Sequence, residues 1–177
     1  MRKLLIVVDY QKDFVDGALG FAGAEALDAV IAAKIREYRA DGADIVVTLD
    51  THGEDYDNTQ EGRKLPVPHC LRGTEGWRLY GETAALCEDC RAFEKPTFGS
   101  AQLFDYLREG DFDQVELCGL VSNICVLSNA VLAKAALPEA EIIVDAAATA
   151  AADPDMNKKA LDVLEGVQIT VINRNAN

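Results

Sequence analysis

Six short apolar runs, several dense in Val and Ile, recur along this chain, and most are separated by segments long enough for helices. The runs cover residues 4–8, 45–49, 91–94, 115–118, 142–144 and 169–172, the third being the weakest. The best of them are apolar at consecutive positions, so both faces of each strand must be buried. Strands of that kind, joined by helices, pair in parallel because each return needs a crossover. The pattern predicts an α/β fold: a three-layer α/β/α sandwich around a six-stranded parallel sheet.

The intervening helices carry their own signals. Residues 25–40 place Leu27, Val30, Ile31, Lys34, Ile35 and Tyr38 at roughly 3.6-residue spacing, and Asp41-Gly42 ends the pattern. Residues 103–108 form a short helix, and residues 124–136 a stronger one that stops before Pro138. Residues 154–164 follow Asp153 as a cap. A chain of 177 residues suits one domain, 1–177. Its irregular stretch, residues 51–81, is long for a compact domain and holds both histidines, which favours a functional loop.

Seventeen basic residues against thirty acidic ones give a net charge of −13. Such a field repels nucleic acid and anionic membranes, so neither is an expected partner. The first apolar run is too short to span a bilayer and no signal peptide is read, which points to a cytoplasmic location. Five cysteines, an odd number, argue against a disulfide framework. Cys87 and Cys90 form a CxxC without a second pair, and the plain reading is a surface helix end rather than zinc or redox chemistry.

Ligands of open parallel sheets bind outside the carboxyl ends of the strands. Asp9, Asp50 and Lys95 fall at or just after the first three ends, and Cys125 lies just past the fourth. Each alone has an ordinary explanation as a turn residue or a small buried side chain. Four converging on one rim indicate a site. With Ser122 and Asn123 as caps, Cys125 would sit in a first helical turn, where N–H groups and the helix dipole favour a thiolate. Lys95 would lower its pKa further, and Asp9 would shuttle its proton. Cys118 falls in an apolar strand and is expected to be core. A phosphorylatable receiver domain also places acids at strand ends, but its paired acids are missing where Tyr10-Gln11 follow Asp9.

The segments VVDYQKDFVDG, EKPTFGSAQL, CGLVSNICVLSNA and VDAAATAAADPDMNKKAL occur in this order across nearly the whole chain. Together they resemble the cysteine-hydrolase (isochorismatase-like) superfamily. The resemblance implies an Asp–Lys–Cys triad at Asp9, Lys95 and Cys125. It also implies a cis peptide at Leu120–Val121 and an oxyanion hole from the N–H groups of Val121 and Cys125. Val121, Ser122 and Asn123 depart mildly from the Ala and Thr-Asp common there. Homo-oligomers are frequent in the superfamily, so a homo-oligomer is expected.

Asp50-Thr51-His52 and the later Pro66-Val67-Pro68-His69-Cys70 resemble the metal motif of the nicotinamidase branch. That likeness implies a divalent metal held by Asp50, His52, His69 and Glu61, with Asn58 where some members carry another histidine. Imidazoles and carboxylates suit zinc first, with iron or manganese as alternatives. The metal would orient a small aromatic amide through its ring nitrogen and would not activate Cys125. Phe14 matches a position where that branch packs an aromatic against the substrate. An aromatic usual before the second histidine is absent, leaving Leu65 (or Trp77 or Phe98) to line the pocket. A related amidohydrolase acting without metal on another amide, carbamoyl or ureido compound would keep the triad and use the loop differently.

Overall fold

The computed structural model describes residues 1–174, so the expected domain extends slightly beyond them. Six strands build one sheet: β1 (Lys3–Val8), β2 (Asp44–Asp50), β3 (Arg91–Lys95), β4 (Gln114–Leu120), β5 (Glu141–Ala150) and β6 (Thr170–Ile172). Their order is β3-β2-β1-β4-β5-β6, and every neighbouring pair is parallel. The helices are α1 (Lys12–Val15), α2 (Leu27–Ala40), α3 (Gln60–Lys64), α4 (Gly81–Leu86), α5 (Ala101–Glu109), α6 (Leu127–Ala136) and α7 (Pro154–Gly166). None of them is long and apolar enough to cross a membrane.

Strand β1 shows why the sheet is covered on both faces. Leu4, Ile6 and Val8 join a core with residues of α5, α6 and α7. Leu5 and Val7, pointing the other way, join a second core with Ile31 and Ile35 of α2. All five are fully buried, and burying each such side chain contributes about 1.5–3 kcal/mol. The expected α/β/α sandwich is the observed one.

The order reverses between β1 and β4, so the chain winds outward in opposite directions from that point. A crevice opens there at the strands' carboxyl ends. Gly119 makes the close approach of β4 to β1 possible. It has φ +107°, and a Cβ in its place would lie 2.0 Å from the Val8 carbonyl oxygen.

Three expectations need correction. Strand β5 runs to Ala150 rather than ending at Val144. Its second half, Asp145 to Ala150, is poor in β-formers and is held by its neighbours: Gly119 and Leu120 of β4 pair with Thr149 and Ala150 after a register shift. The helix expected over 124–136 starts later, because Ser122–Val126 form a wider, π-helical turn in which Val126 N–H donates to Val121 C=O. Ser122 and Asn123 consequently do not cap: Val121 holds the N-cap position without a side-chain bond, and the buried Ser122 hydroxyl has no partner. Asp153 does cap α7, accepting from the N–H groups of Asp155 and Met156.

Candidate active site

Asp9 follows β1 with φ +44°, a left-handed conformation that aspartate tolerates better than most residues. Its backbone N–H donates to Thr48 C=O at 3.2 Å, and the Thr48 hydroxyl donates to Asp9 Oδ1 at 2.6 Å. Its other oxygen, Oδ2, lies 2.6 Å from the Lys95 Nζ, an ion pair rather than an aligned hydrogen bond. Lys95 ends β3 and is almost wholly buried. Its ammonium also reaches Thr97 C=O at 3.0 Å, Cys125 Sγ at 3.3 Å and Asp50 Oδ1 at 3.3 Å. The three residues of the expected triad therefore meet, around one ammonium.

The electrostatics differ from the sequence expectation at the sulfur. Burial pushes the Cys125 thiol well above its ordinary pKa, the Asp9 carboxylate adds to this, and Lys95 opposes both without reversing them. The balance runs against a preformed thiolate, because desolvation outweighs the single neighbouring cation. Burial also raises the Asp9 pKa against the pull of Lys95. For Lys95, burial lowers the pKa but Asp9, Cys125 and Asp50 more than compensate, so it stays a cation.

A second cluster adjoins the first through Asp50. His52 Nε2 lies 3.0 Å and His69 Nε2 3.3 Å from Asp50 Oδ2. Glu61 Oε1, on α3, lies 3.8 Å from His52 Nε2 and 3.7 Å from His69 Nε2. His69 Nδ1 faces Val67 C=O at 2.8 Å. A carbonyl can only accept, so Nδ1 carries a proton, and Nε2 is the ring nitrogen turned toward Asp50 and Glu61. Two carboxylates and two imidazole nitrogens thus converge on one buried space, as ligands around a cation do. Asp50, His52 and His69 offer ligand atoms within 4.8 Å of one another, and this donor set fits a divalent transition metal.

Phe14 is buried and its ring meets that of His69 at 5.6 Å between centroids. Leu65 is exposed, and its carbonyl accepts from the Tyr56 hydroxyl at 2.8 Å. Trp77 donates to Thr51 Oγ1, while Phe98 remains exposed. Val121 follows the cis peptide, which is found at Leu120–Val121. Cys118 is fully buried in the second core.

Sequence reasoning missed four supports. The Gln11 side chain clamps Asp50 at both backbone groups, donating to its carbonyl at 2.9 Å and accepting from its N–H at 2.8 Å. Tyr56 packs its ring on both His52 and His69. Thr48 orients Asp9. Asn129, one helical turn after Cys125, donates to the carbonyls of Cys125 and Phe98 and accepts from Ser100 N–H. The signal for Asn129 was a polar residue four positions from the cysteine in an apolar helix; Tyr56 had none.

Comparison with known proteins agrees with this geometry. Residues 3–176 match the isochorismatase domain. An uncharacterised isochorismatase family protein of Bacillus subtilis is 34% identical over 144 residues, 74% of this chain and 78% of that one. The nicotinamidase/pyrazinamidase of Mycobacterium tuberculosis is 30% identical over 146 residues, 72% of this chain and 76% of that one. Among solved structures, the nicotinamidase/pyrazinamidase of Bacillus subtilis superposes with a TM-score of 0.87 at 29% identity, covering 97% of this chain and 99% of that one. The pyrazinamidase of Pyrococcus horikoshii, solved in complex with zinc, gives 0.85 at 27% identity over 97% and 99%. The fold, the motifs and these likenesses lead to one conclusion: the chain belongs to the isochorismatase domain family and is a hydrolase of the isochorismatase/nicotinamidase type.

Proposed function

We propose that the protein is a cysteine-dependent amidohydrolase that converts nicotinamide, or a close aromatic amide, to the acid and ammonia. The observation that carries this reading is the Lys95 ammonium lying 2.6 Å from Asp9 Oδ2 and 3.3 Å from Cys125 Sγ. Cys125 attacks the amide carbon while its proton passes to Asp9, so charge on sulfur never builds up in a buried site. Lys95 steadies the developing negative charge, and the N–H groups of Val121 and Cys125 receive the oxyanion. Asp9 then gives the proton to the leaving nitrogen, ammonia departs and a thioester remains. Water enters, loses a proton to Asp9 and attacks the thioester carbon. The acid leaves, and the proton returns to sulfur.

Asp50, His52 and His69, with Glu61 beside them, would hold a divalent ion, zinc being the first choice. When bound, such an ion supplies an anchor for a ring nitrogen. Phe14 and Leu65 are assigned to the substrate pocket, Phe14 because its ring touches His69. The presence of two histidines within that cluster favours an aromatic nitrogen substrate over a ureido or carbamoyl one.

The test is ammonia release from a panel of amides by wild type and Cys125→Ala, with metal content measured in both. Wild type should carry metal and hydrolyse nicotinamide, and the variant should keep fold and metal while losing turnover. Wild-type rates in the variant would overturn the nucleophile assignment. Metal-free wild-type protein that turns over only ureido or carbamoyl compounds would overturn the substrate assignment.

A further inference from the structure

Cys87 and Cys90 close a turn at the carboxyl end of α4, where Cys90 N–H donates to Cys87 C=O at 3.0 Å. A turn of this kind holds its first and last Cα atoms within about 7 Å, close to the range a disulfide spans. Both cysteines carry free thiols. Cys87 is buried, whereas Cys90 is partly exposed and borders a surface depression shared with Arg39, Asp44 and Asp89. The Arg39 guanidinium is fixed beside it: one nitrogen donates to Leu86 C=O at 2.6 Å, pairs with Asp89 and lies 3.9 Å from Cys90 Sγ. The plain reading of this CxxC as a surface helix end does not account for two thiols in one turn with a tethered cation beside the second.

We propose that Cys87 and Cys90 are a redox-active dithiol, a modification site separate from Cys125 that reduces small disulfides by closing to an intramolecular disulfide. Cys90 is the attacking sulfur. The neighbouring Cys87 thiol and the Arg39 guanidinium, working against partial burial, bring its pKa down to about 7, which favours the thiolate. The remaining thiols, Cys70, Cys118 and Cys125, are all pushed up by burial.

The exchange balances without another reactant. The Cys90 thiolate attacks one sulfur of a disulfide R–S–S–R, forming Cys90–S–S–R and releasing one RS⁻. The neighbouring Cys90 sulfur and burial hold the Cys87 pKa up, and the first of these influences ends once Cys90 is capped. Cys87 then gives its proton to water and attacks the Cys90 sulfur, expelling the second RS⁻. Two protein thiols are oxidised by two electrons, and R–S–S–R is reduced to two thiols.

The reduced full-length protein is treated with glutathione disulfide at neutral pH, alkylated under denaturing conditions and mapped by peptide mass. A Cys87–Cys90 disulfide should appear before any modification of Cys70, Cys118 or Cys125, and equally in a Cys125→Ala background. Cys87→Ser should trap a glutathione adduct on Cys90, and Cys90→Ser should leave Cys87 unmodified while retaining amide hydrolysis. Circular dichroism of each variant checks that it folds. The proposal is overturned if wild type accumulates an unresolved adduct on Cys90, if Cys125 reacts first, or if folded Cys87→Ser traps nothing.

Discussion

Replacing Lys34 with methionine should destabilise the protein by about 3–5 kcal/mol, the cost of leaving buried partners of an ion pair uncompensated. Lys34 Nζ lies 2.6 Å from Glu116 Oε1 on β4 and 2.8 Å from Asp145 Oδ2 on β5, with all three side chains nearly buried. Methionine keeps most of the aliphatic stem that packs α2 on the sheet, so the loss reports charge. The carboxylates retain other donors. Tyr38 donates to Glu116 at 2.5 Å, and Ala147 N–H and Asn173 donate to Asp145 at 2.9 and 3.0 Å. These bonds place the expectation toward the lower end of the range. For a chain of this length each kcal/mol moves the midpoint about 2–4 °C, so thermal denaturation should shift down by roughly 6–20 °C. Burial alone would depress the Lys34 pKa, but the two carboxylates raise it above the ordinary 10.5. Its stabilising effect is therefore complete at neutral pH and fades only as pH rises beyond that value. Melts of wild type, Lys34→Met and the triple variant with Glu116→Gln and Asp145→Asn measure this directly. A loss under about 1 kcal/mol, typical of exposed pairs, or a triple variant no better than the single, would refute the reasoning.

Gly119→Ala should lower the melting midpoint sharply or prevent folding, since its methyl group would meet the Val8 carbonyl at 2.0 Å where φ is +107°; an unchanged midpoint would show that β1 and β4 can part at no cost. The amidase kcat/KM should fall as pH drops through the raised pKa of Asp9, which lies above 3.8 because of burial. In the proposed mechanism Asp9 must be ionised to take the thiol proton, and no alkaline loss from Lys95 should be seen through about pH 10 because its pKa is raised. A flat acid limb, or an Asp9→Asn variant with the wild-type profile, would contradict that role.

Much of the fold was readable because apolar runs report burial directly. Residues 4–8 are apolar throughout, and the strand there is buried on both faces. Lys34 illustrates what such reading leaves out. It occupies an apolar helical face in the sequence, and only the tertiary structure supplies the two carboxylates that make this tolerable. Asp145 marks the same limit from the other side, since a charge followed by alanines looks like the end of a strand until α2 brings it a cation. At the site, Asp9, Asp50, Lys95 and Cys125 were legible through their positions at strand ends. The raised pKa of Cys125 was not, because local sequence shows the helix start and the lysine but not the depth of burial. Gln11 escaped for a related reason, since Asp50 lies 39 residues away; Tyr56 escaped because it sits in an irregular loop with no periodicity to give its ring a direction.

Lys95 sits where two neighbourhoods share a wall, touching Asp9 and Cys125 on one side and Asp50 on the other. Its charge is divided among all of them. A substitution in the histidine loop that changes the charge of Asp50, or of what Asp50 holds, alters how much of that ammonium remains to offset Asp9 and the sulfur. The long loop and the proposed nucleophile are therefore not interchangeable modules. Variants with an altered charge in the histidine loop should carry compensating changes near Asp9, Thr48 or Lys95.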